Sequence, residues 1–204
     1  MAEYLYLVRH GSTGPARDGR YLGRTDLPLD AAGRSQVEAL AQSLRVKRKC
    51  GRCVCSPLQR AAQTAEILQS ATGCVPETDP DLREIDFGRW EGKMFNEIRD
   101  SSPEEVAQWA RFAVDFAFPG GESLRDFLDR VRRAADRLAA DDADTVLAVT
   151  HAGVIKIMLC HLLGLEARRY VAFEIATASL TVVRLFEGKG VLSEMIRVER
   201  PEPK

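Results

Sequence analysis

Long hydrophobic runs are missing from this chain of 204 residues. The most apolar stretch, Ala152 to Leu165, is too short to cross a bilayer and contains Lys156 and His161. Met1 to Leu7 is too short for the apolar part of an export signal, and Arg9 and His10 interrupt it, so a cytoplasmic protein is expected. Charge of one sign is not in excess either: 29 Lys and Arg stand against 30 Asp and Glu, which gives no support to a nucleic-acid or membrane-surface partner. There is no internal repeat and no low-complexity tract. Cysteines are few, at five. Cys50-Gly51-Arg52-Cys53-Val54-Cys55 has no second Cys or His pair beside it to complete a tetrahedral metal site, so Cys53 and Cys55 are expected as core residues and no metal is expected.

What remains is an ordinary globular mixture, 45% hydrophobic and 29% charged, long enough to bury a core without disulfides. Short apolar runs at Tyr4–Val8, Arg52–Cys55 and Thr145–Thr150 read as buried strands. Val37, Leu40, Ala41 and Leu44 share one face of a helix expected over 31–45. Ser56-Pro57 reads as a helix start, with Ser as the cap and Pro in the first turn, and Gly73 suits that helix's end. A short strand and loop are expected over 75–84, and helices over 123–140 and from Ala152 to Leu163. Strands at 179–186 and 191–198 flank a turn at Glu187-Gly188-Lys189-Gly190. Strands alternating with helices predict a three-layer α/β/α fold with a mostly parallel sheet and antiparallel strands near the C-terminus. Residues 1–204 read as one domain, with a helical insertion at about 89–118 covering the site. Trp90, Phe95, Trp109, Phe112 and Phe116 within it are expected in the core.

The chemistry is expected where two of these strands end. One runs into Arg9-His10-Gly11 and another into His151-Ala152-Gly153. Ligands in open α/β sheets sit outside the carboxyl ends of the strands, so both histidines are expected to face one crevice. Arg60, in the first turn after Ser56-Pro57, points to the same edge, helped by the positive end of its helix. Two arginines, two histidines and a helix N-terminus make an anion site, because guanidinium forks match phosphate oxygens. An imidazole there can donate a hydrogen bond to phosphate or attack phosphorus, and attack requires that its other nitrogen donate to a fixed acceptor. His10, on a turn beside Gly11, suits that better than His151, though spacing does not decide it. A leaving alkoxide also needs a proton, and the run from Asp81 to Asp86 offers carboxyls whose protonated form a neighbouring phosphate favours. His161 is expected as a packing or surface residue, and Glu91 and Glu122 as acceptors for backbone amides.

Taken in order, Leu7-Val8-Arg9-His10-Gly11, Tyr21-Leu22-Gly23-Arg24-Thr25-Asp26, Ser56-Pro57-Leu58-Gln59-Arg60-Ala61, Leu82-Arg83-Glu84 with Gly88-Arg89-Trp90-Glu91-Gly92, Pro119-Gly120-Gly121-Glu122-Ser123 and Thr150-His151-Ala152-Gly153 resemble the histidine phosphatase superfamily, also called phosphoglycerate mutase-like. The resemblance spans about residues 4–165 and is greatest to the alpha-ribazole phosphatases and broad-specificity phosphatases. It implies a metal-independent phosphomonoesterase acting on a small phosphorylated metabolite, alpha-ribazole 5'-phosphate being one candidate, with no cofactor. His10 would carry the phosphoryl group. Arg9, Arg60 and His151 would hold its oxygens, and Glu84 would be the acid and then the base. Leu22 and Gly23 would lie along the substrate, with Thr13 and Ala152 beside it. Two positions depart from the family pattern: Ser12 stands where Glu is common and Ala16 where Asn usually touches phosphate, a contact that Thr13 or Arg17 would have to replace. A mutase and a non-catalytic phospho-ligand binder remain alternatives. A cysteine phosphatase does not, since no cysteine is followed by five residues and then Arg. Asp142-Ala143-Asp144-Thr145-Val146 imitates an aspartate-nucleophile motif but precedes its strand, and there is no Gly-x-x-x-x-Gly-Lys loop. Oligomeric state is not readable.

Overall fold

The computed structural model describes residues 1–14, 19–44, 50–187 and 189–197, and Ala16, Arg17, Gly188 and Val198 lie outside the described residues. The strands are β1 (Tyr4–Arg9), β2 (Arg52–Cys55), β3 (Pro76–Thr78), β4 (Thr145–Thr150), β5 (Ser179–Phe186) and β6 (Lys189–Arg197). They form one sheet in the order β3-β2-β4-β1-β5-β6. The pairings β3 with β2, β2 with β4 and β4 with β1 are parallel, and β5 pairs antiparallel with both β1 and β6. The helices are α1 (Ala31–Leu44), α2 (Gln59–Thr72), α3 (Phe95–Ser101), α4 (Pro103–Ala110), α5 (Leu124–Ala139) and α6 (Ala152–Leu162).

The central strands are apolar between their end residues because both faces are covered. Tyr6, Val8, Cys53, Cys55, Leu147 and Val149 pack with Val37 and Leu40 of α1 and Ala61, Ala65 and Leu68 of α2. The alternate residues Leu5, Leu7, Val54, Val146 and Ala148 pack with Phe127 and Val131 of α5 and Val154, Ile155 and Met158 of α6. This period-2 division is the three-layer architecture expected from the sequence. It also fixes register: Arg9 stands opposite Thr150, so β1 and β4 end side by side.

Some local expectations need correction. Ser56 does not cap α2; Leu58 occupies the N-cap position without a side-chain bond. The first helical amide, Gln59 N, instead donates to Asp26 Oδ1 at 2.7 Å, a partner from the preceding loop that local sequence does not reveal. Gly73 ends α2 in the left-handed conformation, with φ at 71°, as a glycine there permits. Phe95 is not core: it is 45% exposed, and Ile98 takes the buried position on α3. Trp90 and Phe116 are buried as expected, while Trp109 and Phe112 are partly buried against the core. β6 begins at Lys189, two residues before the expected start, and the 3-10 segment Ala167–Ala172 was not anticipated. Among the described residues no helix is long and apolar enough to cross a membrane.

Candidate active site

β1 and β4 are adjacent and parallel, so the residues that follow them emerge together. The ring centroids of His10 and His151 lie 5.0 Å apart, so the two histidines come together at this end of the sheet. Arg60, on the second residue of α2, reaches the same place: its Nε donates to His10 Nε2 at 3.3 Å. Its two terminal nitrogens donate to Thr25 O at 2.9 Å and Gly23 O at 2.6 Å, so the fork is held by backbone of the preceding loop. Arg9 NH1 donates to Ile175 O at 2.6 Å.

His10 Nδ1 lies 2.7 Å from Gly11 O. A carbonyl only accepts, so Nδ1 carries the proton. Nε2 receives the Arg60 Nε–H and therefore presents a lone pair. Both contacts select the same neutral tautomer. Burial pushes the His10 pKa well below its ordinary value, and the charges of Arg60 and then Arg9 push it further, against the bond to Gly11. His151 is likewise pushed well down, first by burial and then by Arg60, His10, Arg9 and Arg130. Its Nε2 lies 2.9 Å from Ser56 Oγ, which accepts from Leu58 N at 3.3 Å. Ser56 is thus a partner of the histidine and not a helix cap. Two buried polar atoms in the crevice, Arg9 Nε and His151 Nδ1, have no hydrogen-bond partner among the described residues. Such orphans cost roughly 1–3 kcal/mol each.

Glu84 is 8% exposed, and its carboxylate accepts from Ile85 N at 3.1 Å and Gly153 N at 3.0 Å. Gly153 is required by that approach, since a Cβ there would lie 2.5 Å from Glu84 Oε1. The segment bearing Glu84 is fixed by Arg130 of α5, which sequence reasoning missed. Arg130 donates to Asp81 O at 2.8 Å, Arg83 O at 2.7 Å and Glu84 O at 3.1 Å, and to both carboxylate oxygens of Glu122. Its only sequence signal was a polar residue at a position where the apolar face of α5 passes inward, between Phe127 and Val131.

The other expected residues fall around this centre. Glu91 accepts from the amides of Gly23, Arg24, Thr25 and Phe87, and Glu122 from Asp86 N, in the structural roles expected of them. With its amide on Glu91 and its carbonyl on Arg60, Gly23 is engaged on both sides. Thr13 is buried, and Leu22 and Ala152 are half-buried. Ser12 Oγ donates to Asp30 Oδ2 at 3.0 Å, tying the loop after His10 to the start of α1. His161 lies outside the crevice, with Nε2 at 2.6 Å from Asp136 Oδ1. Beside Glu84 opens a cavity of about 230 Å³ bordered by Ala152, Gly153 and Lys156 and walled by Phe87, Trp109, Phe112, Phe118, Phe127 and Tyr170. Trp109, Phe112 and Phe118 come from the 89–118 segment. Among the described residues no group of three or more His, Cys, Asp or Glu is placed to hold a metal ion.

The fold and the site define an α/β protein in which two neutral, buried imidazoles stand beside Arg9 and Arg60 where β1 and β4 end. The chain belongs to the histidine phosphatase superfamily (branch 1), whose family model matches residues 5–197. A bifunctional protein of Mycobacterium tuberculosis is 38% identical over 89% of this chain, which spans only 50% of that relative's length. The adenosylcobalamin/alpha-ribazole phosphatase of Salmonella typhimurium is 30% identical, covering 97% of this chain and 99% of that one. The crystal structure of the alpha-ribazole phosphatase from Shigella flexneri superposes with a TM-score of 0.83 at 27% identity, covering 93% of this chain and 94% of that one.

Proposed function

We propose that this chain is a phosphomonoester phosphatase that works through a phosphohistidine on His10 and acts on a small phosphorylated metabolite. The observation that carries the reading is the tautomer of His10: with its proton held toward Gly11 O, its other nitrogen keeps a lone pair, which accepts from Arg60 Nε in the free protein and turns to phosphorus once the phosphoryl oxygens take up the guanidinium. In the first step Nε2 bonds to phosphorus as the ester P–O bond breaks, and Glu84 in its acid form gives its proton to the departing alkoxide. In the second, Glu84 takes a proton from water, the resulting hydroxide attacks phosphorus, and the N–P bond breaks to release phosphate. Arg9, Arg60 and His151 hold the phosphoryl oxygens, supplying from arginine the positive charge that a metal ion supplies in other phosphoryl-transfer sites. His151 donates through Nδ1 when Ser56 Oγ–H donates to its Nε2, an arrangement consistent with Ser56 Oγ accepting from Leu58 N. Thr13, Leu22, Gly23 and Ala152 flank the substrate, and residues 89–118 cover the leaving-group side of a single domain. Two similarities support alpha-ribazole 5'-phosphate as a candidate substrate, since the Salmonella relative and the Shigella structure both carry that activity in their names.

The test is His10→Ala, with turnover followed by phosphate release and the wild type examined for a phosphoryl label. Turnover is expected to fall by about 10⁴-fold or more, in keeping with loss of a nucleophile. Brief incubation with labelled substrate should leave the wild type carrying a phosphoryl group that acid removes and base does not. Full activity in His10→Ala would reject the mechanism.

A further inference from the structure

Lys156 lies one turn into α6, on the wall of the cavity that opens beside Glu84. No hydrogen bond or ion pair joins its ammonium to any described residue; its nearest described partner is the Tyr170 ring, 5.9 Å from Nζ to centroid. The closest candidate counter-ions are engaged elsewhere. Glu84 accepts from Gly153 N and Ile85 N, and Glu174 pairs with Arg197 at 3.2 Å. The remaining wall is aromatic: Tyr170 packs against Phe112 with ring centroids 5.6 Å apart, and Trp109, Phe118 and Phe127 complete it. This half-buried ammonium has the Tyr170 face and the more distant charges of Glu84 and Glu174 but no carboxylate paired directly with it, an arrangement that an incoming anion would complete.

We propose that Lys156 makes this enzyme favour phosphomonoesters whose departing alcohol carries an apolar body and a carboxylate over those with a neutral alcohol, alpha-ribazole 5'-phosphate among them, the apolar part filling the aromatic cavity and the carboxylate pairing with Nζ. The assignment rests on the phosphatase reading above, because it is Glu84, the proton donor there, that makes this cavity the place of the leaving group. A single negative charge matches a single ammonium. A second phosphoryl group would bring about two charges into a cavity with only one cation to meet them. Burial lowers the pKa of Lys156 and the Arg9 charge lowers it further, while Glu84 and Glu174 act the other way; a bound carboxylate would add to that second pair.

The experiment compares benzyl phosphates bearing a ring carboxylate at the ortho, meta or para position with the corresponding carboxamides. For at least one position the wild type is expected to favour the acid over the amide by about tenfold or more in kcat/KM, the range of a hydrogen-bonded charge pair out of water. Lys156→Met should bring that ratio close to one, and Lys156→Arg should keep most of it. A wild-type ratio near one at all three positions would overturn the proposal. So would a ratio that survives in Lys156→Met because both esters slow equally, which would place the ammonium on the transferred phosphoryl group. If the wild type turns over neither acids, amides nor unsubstituted benzyl phosphate, the phosphatase reading itself falls. Turnover of all of them without preference removes only the role of Lys156.

Discussion

Both nitrogens of the His10 ring have fixed directions, one toward Gly11 O and one receiving Arg60, and the His151 ring packs against it. Burial and the two arginines keep both rings neutral, which has a measurable consequence. In the unfolded chain a histidine titrates near about 6.5. Above that pH both states are neutral, and the pair adds no pH dependence. As pH falls below it, the unfolded chain takes up protons that the folded one refuses, so stability falls. Urea unfolding should show stability falling between pH 7.5 and 5.5, by on the order of 1 kcal/mol for each of the two rings. His151→Gln should remove about half of that loss; a loss unchanged by the substitution would mean that the ring titrates in the folded protein as it does in the unfolded chain. The same depression keeps the His10 lone pair available in mildly acidic solution, below the ordinary titration range of histidine.

At the scale of elements, the decisive contact is between α5 and the segment from Asp81 to Glu84. Arg130→Met would strand the Asp81 and Arg83 carbonyls and leave Glu84 O and the Glu122 carboxylate to Arg24 and the Asp86 amide, at a cost of about 3 kcal/mol, the lower end of the range for breaking a buried charged network. Urea midpoints should report that loss, and kcat should fall as Glu84 loses its support. Arg130→Lys should restore only part of it, because an ammonium cannot span the carbonyls and the carboxylate as the planar fork does. This contact also marks where sequence stops being informative. β1, β2 and β4 were legible because each is an apolar run ending in a polar turn, and their ends carry Arg9, His10 and His151. Glu84 and Arg60 followed from ordered motifs. Arg130 was not legible, since it sits in Arg125-Asp126-Phe127-Leu128-Asp129-Arg130-Val131, where alternating charge resembles any solvent-facing helix. Ser56 was misread for a related reason: a Ser-Pro pair has the local signature of a cap, and only the distant His151 shows what the hydroxyl is for.

For the molecule as a whole, the cationic crevice is a local exception in a chain of net charge -1. Whatever anion fits it binds the folded state alone and stabilises it by mass action. Inorganic phosphate at about 100 times its dissociation constant should add about 2.7 kcal/mol, a rise in Tm of roughly 5–10 °C for a chain of this length. Arg60→Met should abolish most of that shift in a thermal melt, whereas equal shifts in both proteins would place the anion elsewhere. The layer order and the antiparallel C-terminal pair were readable at this scale, because strand and helix alternation limits topology. The composition of the cavity wall was not, since Phe87, Trp109, Phe127 and Tyr170 come from separate segments that only the folded chain brings together.

The pairing of Arg9 with Thr150 carries a kinetic consequence as well. The two imidazoles become neighbours only when β1 zips against a strand from the far end of the sequence, after α1, α2 and the whole 89–118 excursion have been threaded between them. Closing so long a loop is entropically slow, and contacts of such sequence separation delay folding. Catalytic competence should therefore be among the last properties a refolding chain recovers, and a nascent chain on the ribosome has no working centre until β4 has emerged.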